Sequence, residues 1–431
     1  VSPRSVPPRG ARIAVVGSGI SGLAAAWLLK DSYQVTLIEA GSYFGGHSNT
    51  VDVTLNGLTH PVDTGFLVHN DLTYPNLIAL FKHLNVDVHA SDMSFGVSIA
   101  EPDIEWAGTD LSTVFAQRRN LIRPAFLSML RDILRFNKNA QRYLTETHSN
   151  TISLEQLLDR ERFGQTMRDW YLLPMAAAIW SAPVKDILGF PAAHFLTFCL
   201  NHRLLQIQER PQWKTVVGGS RCYVQKLVEQ LSDVRLNAPV RRVERLSDSV
   251  AVHSASGVEN FDAVVLACHA PTSLALLDAA PQERAVLQAF RYQENRAVLH
   301  TDIRLLPRRK KVWSAWNYLS RSGASQEQPV AVSYLLNQLQ ALPFTQPVIV
   351  TLNPHIEPLP DLVVKELTYE HPILDAAAAQ AQARLPSIQG LDRVWFCGAW
   401  AGYGFHEDGL KSALRVVRDF GVEIPWGAVY D

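Results

Sequence analysis

Cysteine is scarce in this chain: four among 431 residues, at Cys199, Cys222, Cys268 and Cys397, with no CxxC pair. That scatter excludes a disulfide framework and gives no metal site, and thiols inside apolar runs, as at Cys268 and Cys397, fit a reducing, cytoplasmic setting. An excess of one charge is also missing. Lys plus Arg number 40 against 41 Asp plus Glu, for a net charge of −1. A balance of this kind gives no support for a nucleic-acid partner. No apolar run approaches the roughly 18 residues needed to cross a bilayer. The best stretch, Leu172 to Trp180, is broken by Pro174 and followed by Pro183. The first ten residues, Val1 to Gly10, hold three Pro and two Arg and read as a disordered leader rather than a signal peptide.

What is present begins at Arg12. Arg12 to Val16 is a short apolar run with strand character, Gly17-Ser-Gly-Ile-Ser-Gly22 follows, and Leu23 to Leu29 is an Ala/Leu-rich helix. Gln34 to Glu39 is the next strand, so the start of the chain is a βαβ unit. Gly17 permits the tight turn, Gly19 lets the backbone approach a pyrophosphate, and Gly22 allows close helix-to-sheet packing. The helix N-terminus, at Ile20 and Ser21, offers free N–H groups to the anion. Glu39 ends the second strand, where a carboxylate accepts hydrogen bonds from ribose hydroxyls and repels a 2′-phosphate. A second glycine pair, Gly45-Gly46, and a further turn at Asp63-Thr64-Gly65-Phe66 supply backbone that an NAD domain does not need. These point to FAD.

At 431 residues with 47% apolar content, two domains are expected. The fold class is α/β: a discontinuous Rossmann-type FAD-binding domain with an inserted α+β substrate domain. Strand-like runs at Val234–Asn237, Phe261–Ala267 and Arg393–Cys397, with a helix over Leu410–Phe420, assign 11–72, 214–271 and 390–431 to the FAD domain. Residues 73–213, rich in helical pattern, and 272–389, with strand alternation at Val330–Leu335 and Val348–Leu352, form the substrate domain.

The same residues resemble the flavin amine oxidase superfamily, which includes monoamine oxidases, phytoene desaturases and protoporphyrinogen oxidase. Its glutamate followed by paired glycines matches Glu39, Gly45 and Gly46; the arginine usual after the pair is His47 here. Its C-terminal flavin motif is similar to Phe396-Cys-Gly398-Ala399-Trp400 with Gly409-Leu410, except that Ala399 stands where many members carry an acid. The resemblance implies a non-covalent FAD held by Gly17, Gly19, Ile20, Ser21, Gly22, Glu39, Ala40, Gly45, Gly46, His47, Thr64, Gly65, Phe66, Val240, Gly398, Ala399, Gly409 and Leu410. The Gly409 and Leu410 amides would face the pyrimidine edge of the flavin. A narrower likeness runs through Asp63 to Asn70, Thr73 to Asn76, Ser91 to Phe95, Gly218 to Arg221 and Gly402 to Gly409. It joins the chain to a bacterial subgroup of FAD-binding oxidoreductases similar to the N-terminal region of plant cyclopropane fatty acid synthases. That resemblance implies a fatty-acyl or phospholipid substrate, desaturated or rearranged with hydride passing to flavin N5, and a lipid methyltransferase as partner. Amine oxidation with release of hydrogen peroxide, and a flavin-binding partner subunit without turnover, are the alternatives.

Three sets of residues carry the remaining expectations. His406 is either a general acid or base beside the flavin or, with Asp408, a cap of the helix that follows. Tyr403 and Trp400 are either aromatic walls or packing, as are Trp170, Tyr171 and Trp180; His69 is placed near the cofactor loops. Phe115 to Tyr143 is basic and amphipathic, with Arg118, Arg119, Arg123, Arg131, Arg135, Lys138 and Arg142 against Asp132. It either lies on an anionic membrane surface, making the protein peripheral, or forms an ordinary solvated helix. Arg308 to Lys311, next to Trp313 and Trp316, is a second basic patch that either adds to a membrane face or is a solvated loop.

Overall fold

The computed structural model describes residues 6–147, 152–206, 211–322 and 330–430. Of the expected disordered leader, residues 1–5 lie outside the described residues, whereas Pro7 is buried and Gly10 N donates to Ser32 O at 2.8 Å, so residues 7–10 are tied to the fold. β1 (Arg12–Val16) pairs in parallel with β2 (Gln34–Ile38) on one side and with β4 (Ala263–Leu266) on the other. β3 (Asp233–Arg235) extends the sheet beyond β2 and β5 (Val394–Phe396) beyond β4, giving the order β3-β2-β1-β4-β5. The central strands are buried along almost their whole length, as expected of a parallel sheet covered on both faces. Every residue of α1 (Ile20–Leu29) is buried. It lies between this sheet and α4 (His406–Asp419), which packs along it.

A second sheet has seven strands: in order Val363–Ile373, Arg291–His300, Ile349–Leu352, Ala331–Leu335, Trp316–Ser322, Phe95–Glu101 and Ile104–Ala107. Its pairings are antiparallel except where Trp316–Ser322 runs parallel to Phe95–Glu101. Helices cover the space beside it, among them α2 (Pro124–Thr147) and α3 (Ala192–Asn201), packed on one another. No helix among the described residues is long and apolar enough to cross a membrane.

The borders differ from the expected ones at three places. His69–Asn70, Trp213–Val216 and Val88–Ser91 form one three-stranded sheet, so its backbone ladder crosses both the 72/73 and the 213/214 boundaries. The helices Ala270–Leu276, Pro281–Leu287 and Ala376–Arg384 pack against β4 and β5, with Phe290 set edge-on to Trp400 at 4.7 Å. Residues 272–290 and 376–389 thus pack with the cofactor-side sheet. Finally, α4 starts at His406, one turn before Leu410, because the Asp408 carboxylate accepts the Phe405 N–H at 3.0 Å and caps it there.

That early start brings Glu407 into the interior. Its carboxylate accepts Asn76 N at 3.1 Å, Asn76 Nδ2 at 2.7 Å and Leu77 N at 2.9 Å, so α4 caps the first turn of the Pro75–His83 helix. Burial pushes the Glu407 carboxyl up in pKa, while these donors hold it down. Glu407→Ala leaves two buried amides unpaired, at about 1–3 kcal/mol each. Urea denaturation is expected to report a loss of about 3 kcal/mol, and Glu407→Gln a smaller one.

Candidate functional site

The turn after β1 is built from steric necessity. Gly17 has φ +100°, and a Cβ there would stand 2.8 Å from the Ala267 carbonyl oxygen. A Cβ at Gly22 would stand 1.8 Å from the Gly17 oxygen. At Gly19, by contrast, a Cβ meets no protein atom: that side of the turn is open space. Gly19 caps α1 without any side-chain bond, and no acid lies in the first turn, so the leading N–H groups face the opening unpaired by a side chain. The Gly45-Gly46 loop closes over it. Gly45 N donates to Ser18 O at 3.0 Å, and Gly46 has φ +58° with its Cβ position 3.3 Å from the Gly19 Cα.

Glu39 is held by three donors: Ser18 N at 2.9 Å, Ser18 Oγ at 2.6 Å and Gly41 N at 2.7 Å. This fixes the carboxylate at the end of β2 with acceptor capacity left for a diol. His47 follows the glycine pair. Its carbonyl accepts Phe66 N at 2.7 Å, and Gly65 must be glycine because a Cβ would come within 2.3 Å of that oxygen. The residue is half-buried, and its buried Nε2 has no hydrogen-bond partner among the described residues. Burial first, then His371, His269 and His406, holds it well below the usual imidazole range.

These elements open on one cavity of about 460 Å³. Gly17, Gly19, Ile20, Ser21, Glu39, Ala40, Gly45, Gly46, His47, Thr64, Gly65, Phe66, Val240, Gly398, Ala399 and His406 all line it. Gly22 does not line it and serves packing instead. Gly409 and Leu410 do not line it either, contrary to expectation. The Gly409 N–H is spent on Phe405 O at 3.0 Å, its Cα side abuts Ile20 and Ser21, and Leu410 is fully buried. The earlier helix start moves the free first-turn amides to His406, Glu407 and Asp408.

His406 stands at the head of α4, stacked on Phe66 with ring centroids 3.8 Å apart. Its Nε2 lies 2.8 Å from Ser48 Oγ and 3.2 Å from Tyr223 OH, and Ser48 and Tyr223 bond each other. Nδ1 has no protein partner among the described residues. Burial, then His69, lowers the pKa to about 3, so the ring is neutral and can accept but is a poor resting acid. Tyr403 is a correction: it turns away from the cavity and packs on Phe198 and His194, in a small separate crevice with Trp180. Trp400 does line the cavity, but its Nε1–H is spent on Cys268 O at 3.1 Å and its ring on Phe290. Trp170 and Tyr171 pack around Trp106, Trp180 packs among Phe190, Phe195 and Phe198, and His69 packs on Phe81; none of the four lines the cavity.

Beyond the glycine turns the cavity wall is aromatic and aliphatic. It is built of Leu67, Val68, Tyr74, Met93, Ile179, Phe198, Leu204, Trp213, Trp316, Tyr334 and Leu352. Trp316 and Tyr334 meet edge-on at 4.9 Å, and Tyr334 bonds Ser181. Leu67, Val68, Tyr74 and Met93 lie within the stretches Asp63–Asn70, Thr73–Asn76 and Ser91–Phe95 without having been given a role, while Trp316, Tyr334 and Leu352 come from strands far apart in the chain and share no motif. Among the described lining residues there is no Lys, Arg or Asp. Glu39 is committed as above, and Glu370 pairs with His269 Nδ1 at 2.9 Å. The lining histidines His47, His202, His269, His371 and His406 are all lowered, each chiefly by burial, so the wall carries little charge.

The family model for flavin-containing amine oxidoreductases matches residues 20–302. The chain belongs to that family. Among curated relatives, "Probable polyamine oxidase 4" of Arabidopsis thaliana is 25% identical over 274 residues, 59% of this chain and 49% of that one. The chain thus spans about half the length of that relative. Among solved structures, a CLA-producing fatty acid isomerase from P. acnes superposes with TM-score 0.67 at 15% identity, covering 95% of this chain and 98% of that one. Putrescine oxidase bound to putrescine gives 0.67 at 16%, covering 97% and 100%. These share the fold.

The chain is accordingly a flavoprotein of that family, and its residues fit FAD. The unpaired α1 amides and the open side of Gly19 would receive the pyrophosphate, Glu39 the ribose, and the unpartnered His47 Nε2 a further polar atom. Gly22→Ala is expected to weaken FAD retention at least about tenfold, read from flavin absorbance after gel filtration. Gly427→Ala, in open space, leaves it unchanged.

The buried imidazoles also set an acid limit. His69, His202, His300 and His371 are lowered to about 4 and His406 to about 3. Between pH 6.5 and about 4 the unfolded chain binds protons at these sites that the folded chain refuses, so stability falls as pH falls. Asp63 and Asp408, raised to about 6, act in the opposite sense but are outnumbered. Thermal unfolding of the holoprotein is expected to show its midpoint dropping steadily across that window; a flat profile refutes the assignment.

Proposed function

We propose that this enzyme acts on an unsaturated or methyl-branched fatty-acyl chain, removing hydrogen to introduce a double bond or shifting one already there. The observation that carries this reading is the wall opposite the cofactor cradle. It is long, aromatic and aliphatic, and its few ionisable groups are neutral or already paired. An acyl chain loses only water on entering such a space, whereas an amine cation loses hydration and meets along the apolar wall only the Glu370 carboxylate, already bonded to His269. Polyamines, with several cations, are disfavoured most.

Bound FAD supplies the two-electron acceptor for such chemistry. The protein's own part is threefold. Leu67, Val68, Ile179 and Leu352 hold the chain and exclude water. Trp316 and Tyr334 narrow the passage with flat walls. His406, with Nε2–H given to Ser48, presents the Nδ1 lone pair to a proton leaving the substrate. Because burial keeps the ring neutral, this acceptor is available throughout the neutral range.

Amine oxidation is the second reading. It is favoured by the polyamine and putrescine oxidases among the similar proteins and by the aromatic pair Trp316–Tyr334, whose faces can hold an amine without a carboxylate. Anaerobic mixing of the yellow holoprotein with unsaturated and methyl-branched acyl lipids, and separately with an amine panel, decides between them. Bleaching of the flavin by lipids alone, or a rearranged lipid product without bleaching, is the expected result. Bleaching by an amine alone overturns it. His406→Gln is expected to lower kcat by about 10²-fold with flavin content unchanged.

A further inference from the structure

The long helix α2 turns one face inward and leaves the other without a partner. Phe126, Met129, Phe136, Ala140 and Tyr143 are buried, on the side where α2 packs against α3. The outward stripe runs Leu127, Arg131, Leu134, Lys138, at the spacing of a single helix face. Leu127 and Leu134 are 42% and 56% exposed. Just before the helix, Leu121 and Ile122 project from a short turn, Ile122 at 83% exposure, and Leu111 nearby at 77%.

The second basic patch is brought beside this face. Arg119 and Arg308 both pair with Asp103, Arg309 pairs with Glu105, and Lys311 is near enough to act on Asp110. Those pairs fix the scaffold. Arg118, Arg131, Lys138, Lys310 and Lys311 remain with no ion pair among the described residues. Of the two acids in α2, Asp132 points inward, bonded to Gly164 N and Arg135, and Glu146, near the far end, pairs with Arg142 and Arg160. Asp110 is an exposed acid of the patch, and its carboxylate caps the Leu111–Val114 turn.

We infer that this face, from Leu111 through Lys138 together with Lys310 and Lys311, docks on an anionic phospholipid bilayer. Two features select that occupant. The unpaired cations complement acidic headgroups. The isolated leucines and Ile122 stand between the cations, where short apolar side chains enter the headgroup boundary while arginine and lysine reach sideways to phosphate. A nucleic acid would use the cations but gains nothing from Ile122 and Leu134, and the face offers no exposed aromatic ring for base stacking. A protein partner would call for a larger unbroken apolar patch than alternating Leu and Arg provide. The face lies across α3 from the cavity, since α3 carries Phe198 and its end His202, which line it. The inference stands on this surface and does not require the acyl reading.

The test is flotation of the full-length holoprotein with vesicles of phosphatidylcholine alone and of phosphatidylcholine mixed with phosphatidylglycerol, read by flavin fluorescence. Binding at least about tenfold tighter to the anionic vesicles is expected, falling as salt rises. Ile122→Glu and, separately, the double change Arg131→Glu with Lys138→Glu are expected to reduce it about tenfold, with flavin content and melting unchanged. Equal binding to both vesicle types, no binding to either, or variants that float like the parent overturns the inference. So does single-stranded RNA that displaces the protein from anionic vesicles at equal charge. Flotation is read without turnover, so a protein that floats but is neither reduced by lipids nor rearranges them keeps this surface and loses the acyl substrate.

Discussion

An uncapped helix N-terminus inside the protein is the constraint around which this structure is arranged. The leading amides of α1 lie at the end of a turn whose glycines leave no room for a side chain on one side and open space on the other. Buried N–H groups without partners are costly, so the arrangement is economical only with an anion in place. Each neighbouring element is consistent with that demand. The Gly45-Gly46 loop closes over the turn, Ala267 at the end of β4 forms its floor, and Glu39 is locked by Ser18 and Gly41 before any diol arrives.

The far wall follows a different rule. There the protein has removed charge rather than placed it. Histidines line the cavity, yet burial keeps them neutral, and its carboxylates are already engaged. Fold kinship with enzymes named for amines and with one named for a fatty acid leaves the substrate to these local residues, since fold and function part company at this level. The chemistry of the wall, not the family, is what speaks for an uncharged chain.

How much of this was legible in the sequence depends on how local the cause is. The turn at Gly17 to Gly22, the acid at Glu39 and the pair Gly45-Gly46 were readable because backbone sterics write themselves into residue type within a few positions. Gly409 and Leu410 were misjudged for an equally local reason. Asp408 caps Phe405 and starts α4 a turn early, which exchanges His406 for Gly409 at the cavity. Tyr403 lies one turn of loop from His406 and points elsewhere, a change of direction no pattern records. Trp316, Tyr334 and Ser181 meet only through pairing of strands and helices far apart in the chain, so no motif announced them. The basic segment was visible as a composition, but which of its faces is inward required α3 to be in place.

Glu407 draws together matters that the sheets keep apart. It follows His406 directly, and its carboxylate is the cap on the helix from Pro75, whose neighbour Tyr74 belongs to the cavity wall. The floor that meets the cofactor and the wall that meets the substrate are therefore joined through one side chain. Such a joint makes the two sides one mechanical unit: a change that shifts the turn at His406 also pulls on the start of the helix behind Tyr74.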